Sequence, residues 1–260
     1  MVLSTNQVLT QIGISVPAQR TLVISDLMPN PEKLGAFLDE TKDGIEDTCS
    51  SYNKLPQEDR FRLSRVIVKR LVGLMYWVKD QHRISQPLTF PAGATREDII
   101  NEIRESVARQ ELRSTQKKMG ESLVTSNFES KLKNRSQWER WHIELKALLN
   151  TIIGAKGISL SYVMRDPMAT VPANFSSYEE KAMWLCRHEG MEFDLDKKAV
   201  HNIIIRNISE SSDAYIYLKP SIKLENGAED IRLLRERYDN NATKFGSHIN
   251  QSKSITRTWS

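Results

Sequence analysis

Apolar residues recur at three- and four-residue steps along most of this chain, the spacing of one helix face. The strongest case is 136–154, where Trp138, Trp141, Leu145, Leu148, Leu149 and Ile152 put two indoles and four aliphatics on one side. Two tryptophans bury a large apolar area, so this helix is expected to centre the packing of the C-terminal half. A second wide stripe runs through 57–82, with Leu63, Val66, Ile67, Leu71, Leu74, Met75 and Val78. Ile99, Ile100, Ile103, Val107 and Leu112 give a narrower stripe between 95 and 119. An acidic helix is predicted over 31–52, weakened at Gly44. Further helices are predicted after Ser177, around Val200–Ile204, from Ser211 or Ser212 to Leu218, and from Asn226 to Tyr238.

Stop and start signals bound these stretches. Ser136 with Glu139 and Ser177 with Glu180 have capping-box spacing, as does Thr95 with Asp98, and Asp194 or Asp196 is placed to cap a further helix. Gly154 is a plausible left-handed stop, and Pro56, Pro87, Pro167 and Pro220 break the pattern elsewhere. Residues 1–30 read as an irregular arm, although Thr21–Ile24 has the composition of a strand. Residues 120–135 lack a period and are rich in Ser, Asn and Lys, so they read as a polar linker. The expectation is an all-α protein of about eight helices in two subdomains, 31–119 and 136–245, with a polar tail at 246–260.

Composition narrows the class. With 260 residues, 39% of them hydrophobic, the chain can bury a core. No apolar run is long enough for a membrane span, and Met1–Arg20 lacks the pattern of a secretory signal. Two cysteines, Cys49 and Cys186, imply buried thiols in a reducing compartment. The net charge of +4 is uneven: residues 1–59 carry −5, 60–146 carry +8 and 147–260 carry +1. The basic middle third is where a nucleic-acid partner is hinted at. Arg62, Arg65, Lys69 and Arg70 flank the apolar stripe of 57–82 and are the candidate phosphate contacts, though no aromatic residue interleaves them for base stacking. The plainer reading is a core helix with a solvated basic face.

Catalytic signatures are missing from the sequence. There is no phosphate loop, dinucleotide-binding glycine pattern, nucleophile elbow or H-E-x-x-H. The five histidines are scattered, and His142 flanks the tryptophan stripe as a structural residue would. Asp194 and Asp196 could meet a divalent cation, but capping explains them more simply. No cofactor, metal or small-molecule substrate is expected.

The order Trp138–Trp141–Leu145–Leu149, the Gly154–Gly157 break and then Leu160-Ser-Tyr-Val-Met-Arg-Asp166 resembles the Gag proteins of Copia-type retrotransposons from algal and diatom genomes. In those proteins a tryptophan-rich helix precedes a G-x-P-L-x-Y-V-I-R phrase. Tyr162, Val163 and Arg165 match it, whereas Ile158-Ser159 replaces Val-Pro and Met164 replaces Ile. The resemblance implies a structural, non-enzymatic capsid protein of the cytoplasm, with the nucleus also open. It would have itself as partner, element RNA as a further one, and no membrane. It also implies that Trp138, Trp141, Leu145, Leu149, Tyr162 and Val163 are core packing residues. Family members continue into more helices and a basic tail, so the chain would be a truncated copy. The alternative is a helical nucleic-acid-binding protein using the basic helix 57–82, and an enzyme of unfamiliar motif comes third.

Overall fold

The structure is a computed structural model, and it describes residues 1–27, 34–123, 128 and 131–239. It is all-α: ten α-helices and several 3-10 turns, about two-thirds of the chain helical, with isolated β-bridges in place of a sheet among the described residues. Two compact units are present, 1–114 with 185–187, and 115–184 with 188–260. The division falls inside a helix that runs through Leu123, whereas the sequence suggests a linker at 120–135. Of that stretch, 124–127 and 129–130 lie outside the described residues, as do the expected tail 246–260 and the first residues of the expected 31–52 helix.

In the first unit, residues 1–27 correct the expectation of an irregular arm. They form α1 (Thr5–Ile12) and α2 (Pro17–Leu27), and the strand-like Thr21–Ile24 is helical. Apolar partners account for this: Val8, Leu9, Ile12, Val23 and Leu27 are all buried in the unit's core. The expected acidic helix divides into a 3-10 turn at Leu34–Leu38 and α3 (Lys42–Ser51), which Thr41 caps. The central helix α4 (Arg65–Arg83) begins eight residues later than its apolar pattern suggests, because Ser64 accepts a hydrogen bond from the Ile67 N–H and starts the helix there. Leu63 is still buried, but from the segment before the helix. The first unit closes within α5 (Arg96–Leu123), at Ser114. At its start Asp98 accepts from the Thr95 N–H at 2.8 Å while Thr95 accepts from the Asp98 N–H at 3.2 Å, the predicted reciprocal cap.

In the second unit α6 (Trp138–Thr151) buries Trp138, Trp141, Leu145 and Leu149. It starts two residues past the proposed Ser136 cap, after a 3-10 turn at Arg135–Gln137 whose cap is Asn134. The next element is the 3-10 turn Leu160–Met164, buried at all five positions, Tyr162 and Val163 included. It packs against α6, α8 (Met191–Arg206) and α10 (Gly227–Tyr238), so the short phrase Leu160–Met164 is the hub of the unit. Two shorter helices, α7 (Tyr178–Leu185) and α9 (Asp213–Leu218), complete it. The Val200–Ile204 run is helical, inside α8. A Cβ on Gly227 would stand 2.6 Å from the His201 backbone nitrogen, so glycine there permits the close approach of α10 to α8.

Candidate functional site

The four candidate phosphate contacts do not form one helical face. Arg62 lies before α4, while Arg65 and Lys69 are one turn apart on it, and all three are exposed. Arg70 turns inward and donates to the Ile12 carbonyl at 2.9 Å, where a cation meets the negative end of α1. Arg62 and Arg65 share a shallow groove with Glu46 and Cys49. The Cys49 thiol is pushed up to about 11 by burial, with Glu46 adding to the shift, so it is protonated at neutral pH.

Charged groups that the sequence left scattered are drawn into three buried constellations. Asp80, fully buried, receives Arg83 at 2.7 Å, Arg109 at 2.8 Å and Arg113 at 2.6 Å, tying α4 to α5. Asp196 does not cap α8, which starts at Met191 with Gly190 in the capping position. It reaches instead to the Gly154–Gly157 turn, accepting from the N–H of Ala155 at 2.5 Å, the N–H of Lys156 at 3.3 Å and the Tyr162 hydroxyl at 2.9 Å. A Cβ on Gly154 would overlap that carboxylate, so Gly154 serves a close approach and α6 has already ended at Thr151. Asp230 meets His201 at 2.6 Å between α10 and α8, both side chains buried. Burial raises the carboxyl pKa of both Asp196 and Asp230, against the pull of their hydrogen bonds.

One cavity in the second unit, of about 250 Å3, gathers cationic and apolar side chains. His142 and Lys146, one turn apart on α6, meet Arg165 from the end of the 3-10 turn and Arg235 from α10. Met164 and Trp184 supply apolar wall. Arg235 donates to the Met164 carbonyl at 3.0 Å, and its other terminal nitrogen lies 3.3 Å from His142 Nε2. A guanidinium only donates, so Nε2 accepts and the neutral ring carries its hydrogen on Nδ1. Burial and then Arg235 hold the His142 pKa below its usual range. The imidazole also stacks on an indole: its ring lies 4.9 Å from that of Trp138 at an interplanar angle of 7°. Arg165 is anchored to the Met183 carbonyl at 3.1 Å. Sequence reasoning named His142 and Arg165 but for other roles, and it passed over Lys146 and Arg235, which no local spacing connects.

Nearby, half-buried His188 lies 3.1 Å from the Tyr162 carbonyl and stacks on Phe193 at 4.8 Å. Burial first, then the Arg165 charge, push its pKa down to about 4 from 6.5. An unfolded imidazole takes up its proton near pH 6.5 and the folded one near 4, so in that window the unfolded chain binds more protons. This group therefore lowers stability as pH falls from 6.5 towards 4 and has no effect above 6.5. Discounted for partial exposure, the loss between about pH 7 and pH 5 is ~1 kcal/mol. Asp196 and Asp230, with raised pKa, act in the opposite sense just above 3.8. The check is urea unfolding at both pH values for the chain and for His188→Gln: the pH-dependent loss should shrink in the variant by about that ~1 kcal/mol.

Among the described residues no group of three or more His, Cys, Asp or Glu is placed to hold a metal ion. No described helix is long and apolar enough to cross a membrane. No protein-family profile, curated protein or solved structure matches this chain.

Proposed function

We propose that this chain is a structural protein that associates with further copies of itself, a Gag-like protein of the capsid type. The observation that carries the reading is an apolar pair on the outer face of α8: Met191 is 77% exposed and Leu195, one turn on, is 54% exposed. The same helix buries Phe193, Val200, Ile203 and Ile204, so it is apolar on two sides at its start. Fully burying a Met or Leu side chain is worth about 1.5–3 kcal/mol, and a two-fold contact would use the pair twice. The burial of the tryptophan helix and of the Leu160–Met164 phrase suits the family resemblance, in which these elements are core and neighbouring surfaces make assembly contacts.

Light scattering behind size exclusion, at rising protein concentration and in low and high salt, tests the reading. Discrete oligomers or regular particles are expected, and Met191→Glu with Leu195→Glu should return the chain to monomer. A monomer at every concentration would remove the proposal. Changing Arg62, Arg65 and Lys69 together to Glu is the control for nucleic acid. Assembly held by bridging RNA would be lost in that variant and at high salt, whereas apolar association survives both.

A further inference from the structure

One of the two apolar side chains on the outer face of α8 is a thioether, which oxidants attack where they leave an aliphatic group alone. Met191 is the first residue of α8 and is 77% exposed, so its side chain meets solvent in the free chain. The other methionines divide sharply. Met75 and Met164 are buried. Met183 is partly buried, and its sulfur accepts from the Ser161 hydroxyl at 3.0 Å. Met1 and Met168 are exposed, Met168 at 90%, but neither lies on a helix. Among the described residues Met191 is therefore the open thioether that stands on a helix face, and that face is the apolar pair with Leu195.

Oxidation turns this side chain from apolar to polar. A peroxide delivers one oxygen atom: a sulfur lone pair attacks it, the O–O bond breaks, an S–O bond forms and water leaves. Sulfur loses two electrons and the peroxide gains them. The sulfoxide oxygen is an acceptor, and burying it without a donor carries the desolvation cost of an unpaired polar group. The side chains beside it on α8 offer no unengaged donor. Glu192 and Asp194 carry acceptors, Lys197 is held by Asp194 at 2.8 Å, and Lys198 by Glu225 at 2.5 Å. The fold itself has little to lose, because Met191 is not among the residues that α8 buries.

We propose that Met191 is an oxidation switch on self-association: its thioether permits the contact between copies, and its sulfoxide, formed by peroxide on the free chain, blocks that contact. The switch rests on the self-association reading and names its regulation. It is reversible, since a methionine sulfoxide reductase restores the thioether while two thiols become a disulfide and the oxygen leaves as water. A contact that buries Met191 also shields it, so oxidation slows as copies associate.

The test is light scattering behind size exclusion on the full chain, before and after dilute hydrogen peroxide, with oxidised residues read by peptide mass. Each buried sulfoxide should weaken association by about tenfold, so a two-fold contact should weaken by about a hundredfold. Reductase treatment should restore assembly. In a partly oxidised sample the monomer fraction should be enriched in Met191 sulfoxide and not in Met168 sulfoxide. Met168→Leu should stay as sensitive to peroxide as the parent, and Met191→Gln, polar without any oxidant, should be monomeric from the start. Met191 should oxidise more slowly as protein concentration rises, and Met168 should not. Circular dichroism should be the same before and after treatment. A parent that never assembles before oxidation removes the self-association reading and the switch with it. A parent that assembles, and stays assembled with Met191 fully oxidised, overturns the switch alone. Equal Met191 sulfoxide in assembled and monomeric fractions does the same, as does loss of helical signal together with assembly, which assigns the change to unfolding.

Discussion

Replacing Asp80 with alanine is expected to destabilise the first unit by about 3–5 kcal/mol, enough to unfold a domain of ordinary stability. The carboxylate is fully buried and carries ion pairs with Arg83, Arg109 and Arg113, whose side chains are 22%, 14% and 11% exposed. Removing it takes the anion away from three largely buried guanidiniums and leaves them repelling one another across the α4–α5 contact. Arg109 would keep its bond to the Ser106 hydroxyl at 2.8 Å, so α5 retains a local anchor while the tie to α4 is lost. Asp80→Asn preserves shape and two of the acceptor directions but not the charge, and should fall between the parent and the alanine variant. Hydrogen exchange read by peptide mass locates the effect. Amides of 65–83 and 96–113 should exchange faster in the variant, and those of 138–151 should not change. Equal acceleration in both sets would show that the network is not confined to its own unit.

The class of the fold was legible because helix periodicity is local. Stripes such as Ile99–Ile103–Val107 and Trp138–Trp141–Leu145 repeat over three or four turns and need no knowledge of what covers them. The errors lie where a short signal competes with a longer one. Residues 1–30 look irregular by apolar count, yet Ser4 and Gln7 form a capping box and Gly13 closes the helix at φ 116°, signals a reader could have used. Before α4, Leu63 continues the helical stripe in phase, so pattern alone extends the helix past the Ser64 cap that actually begins it.

The candidate site was much less legible, and for a different reason. Its chemistry joins positions far apart in sequence: Arg235 meets His142 across 93 positions and Asp196 meets Tyr162 across 34. Nothing in a local window distinguishes Arg70, which is bonded to the Ile12 carbonyl, from Lys69 beside it, which is exposed. A basic cluster in sequence is therefore a weaker statement than a basic surface. Four cations that read as one face become one structural anchor and three exposed groups once the helix start and the position of α1 are known. Arg165 belongs to the family-like phrase by identity, but its place in a cavity depends on α6, α7 and α10 together.

Trp141→Ala is expected to cost about 3–5 kcal/mol in the second unit, the range for truncating a large core aromatic. Trp141 is 2% exposed, stacks 5.7 Å from Trp138 and meets Phe128 edge-on at 6.1 Å. Its indole N–H donates to the Asn207 carbonyl at 2.9 Å. That carbonyl also accepts from the Leu132 N–H at 2.9 Å, while the Asn207 side chain bonds the Phe128 N–H at 2.8 Å and the Ile203 carbonyl at 2.9 Å. One asparagine at the end of α8 thus ties Phe128 and Leu132, ahead of α6, to both α6 and α8. Because Asn207 keeps a second donor, Trp141→Phe strands no buried acceptor. Its cost should be nearer ~1–2 kcal/mol, one net hydrogen bond plus the lost ring volume. The large gap between Ala and Phe separates packing from hydrogen bonding at this position. Ile143, two residues on and 63% exposed, supplies the contrast on the same helix: Ile143→Ala should move stability by less than ~0.5 kcal/mol. Urea unfolding followed by far-ultraviolet circular dichroism measures all three. If Ile143→Ala proves as costly as Trp141→Ala, the face of α6 turned to the core has been assigned wrongly.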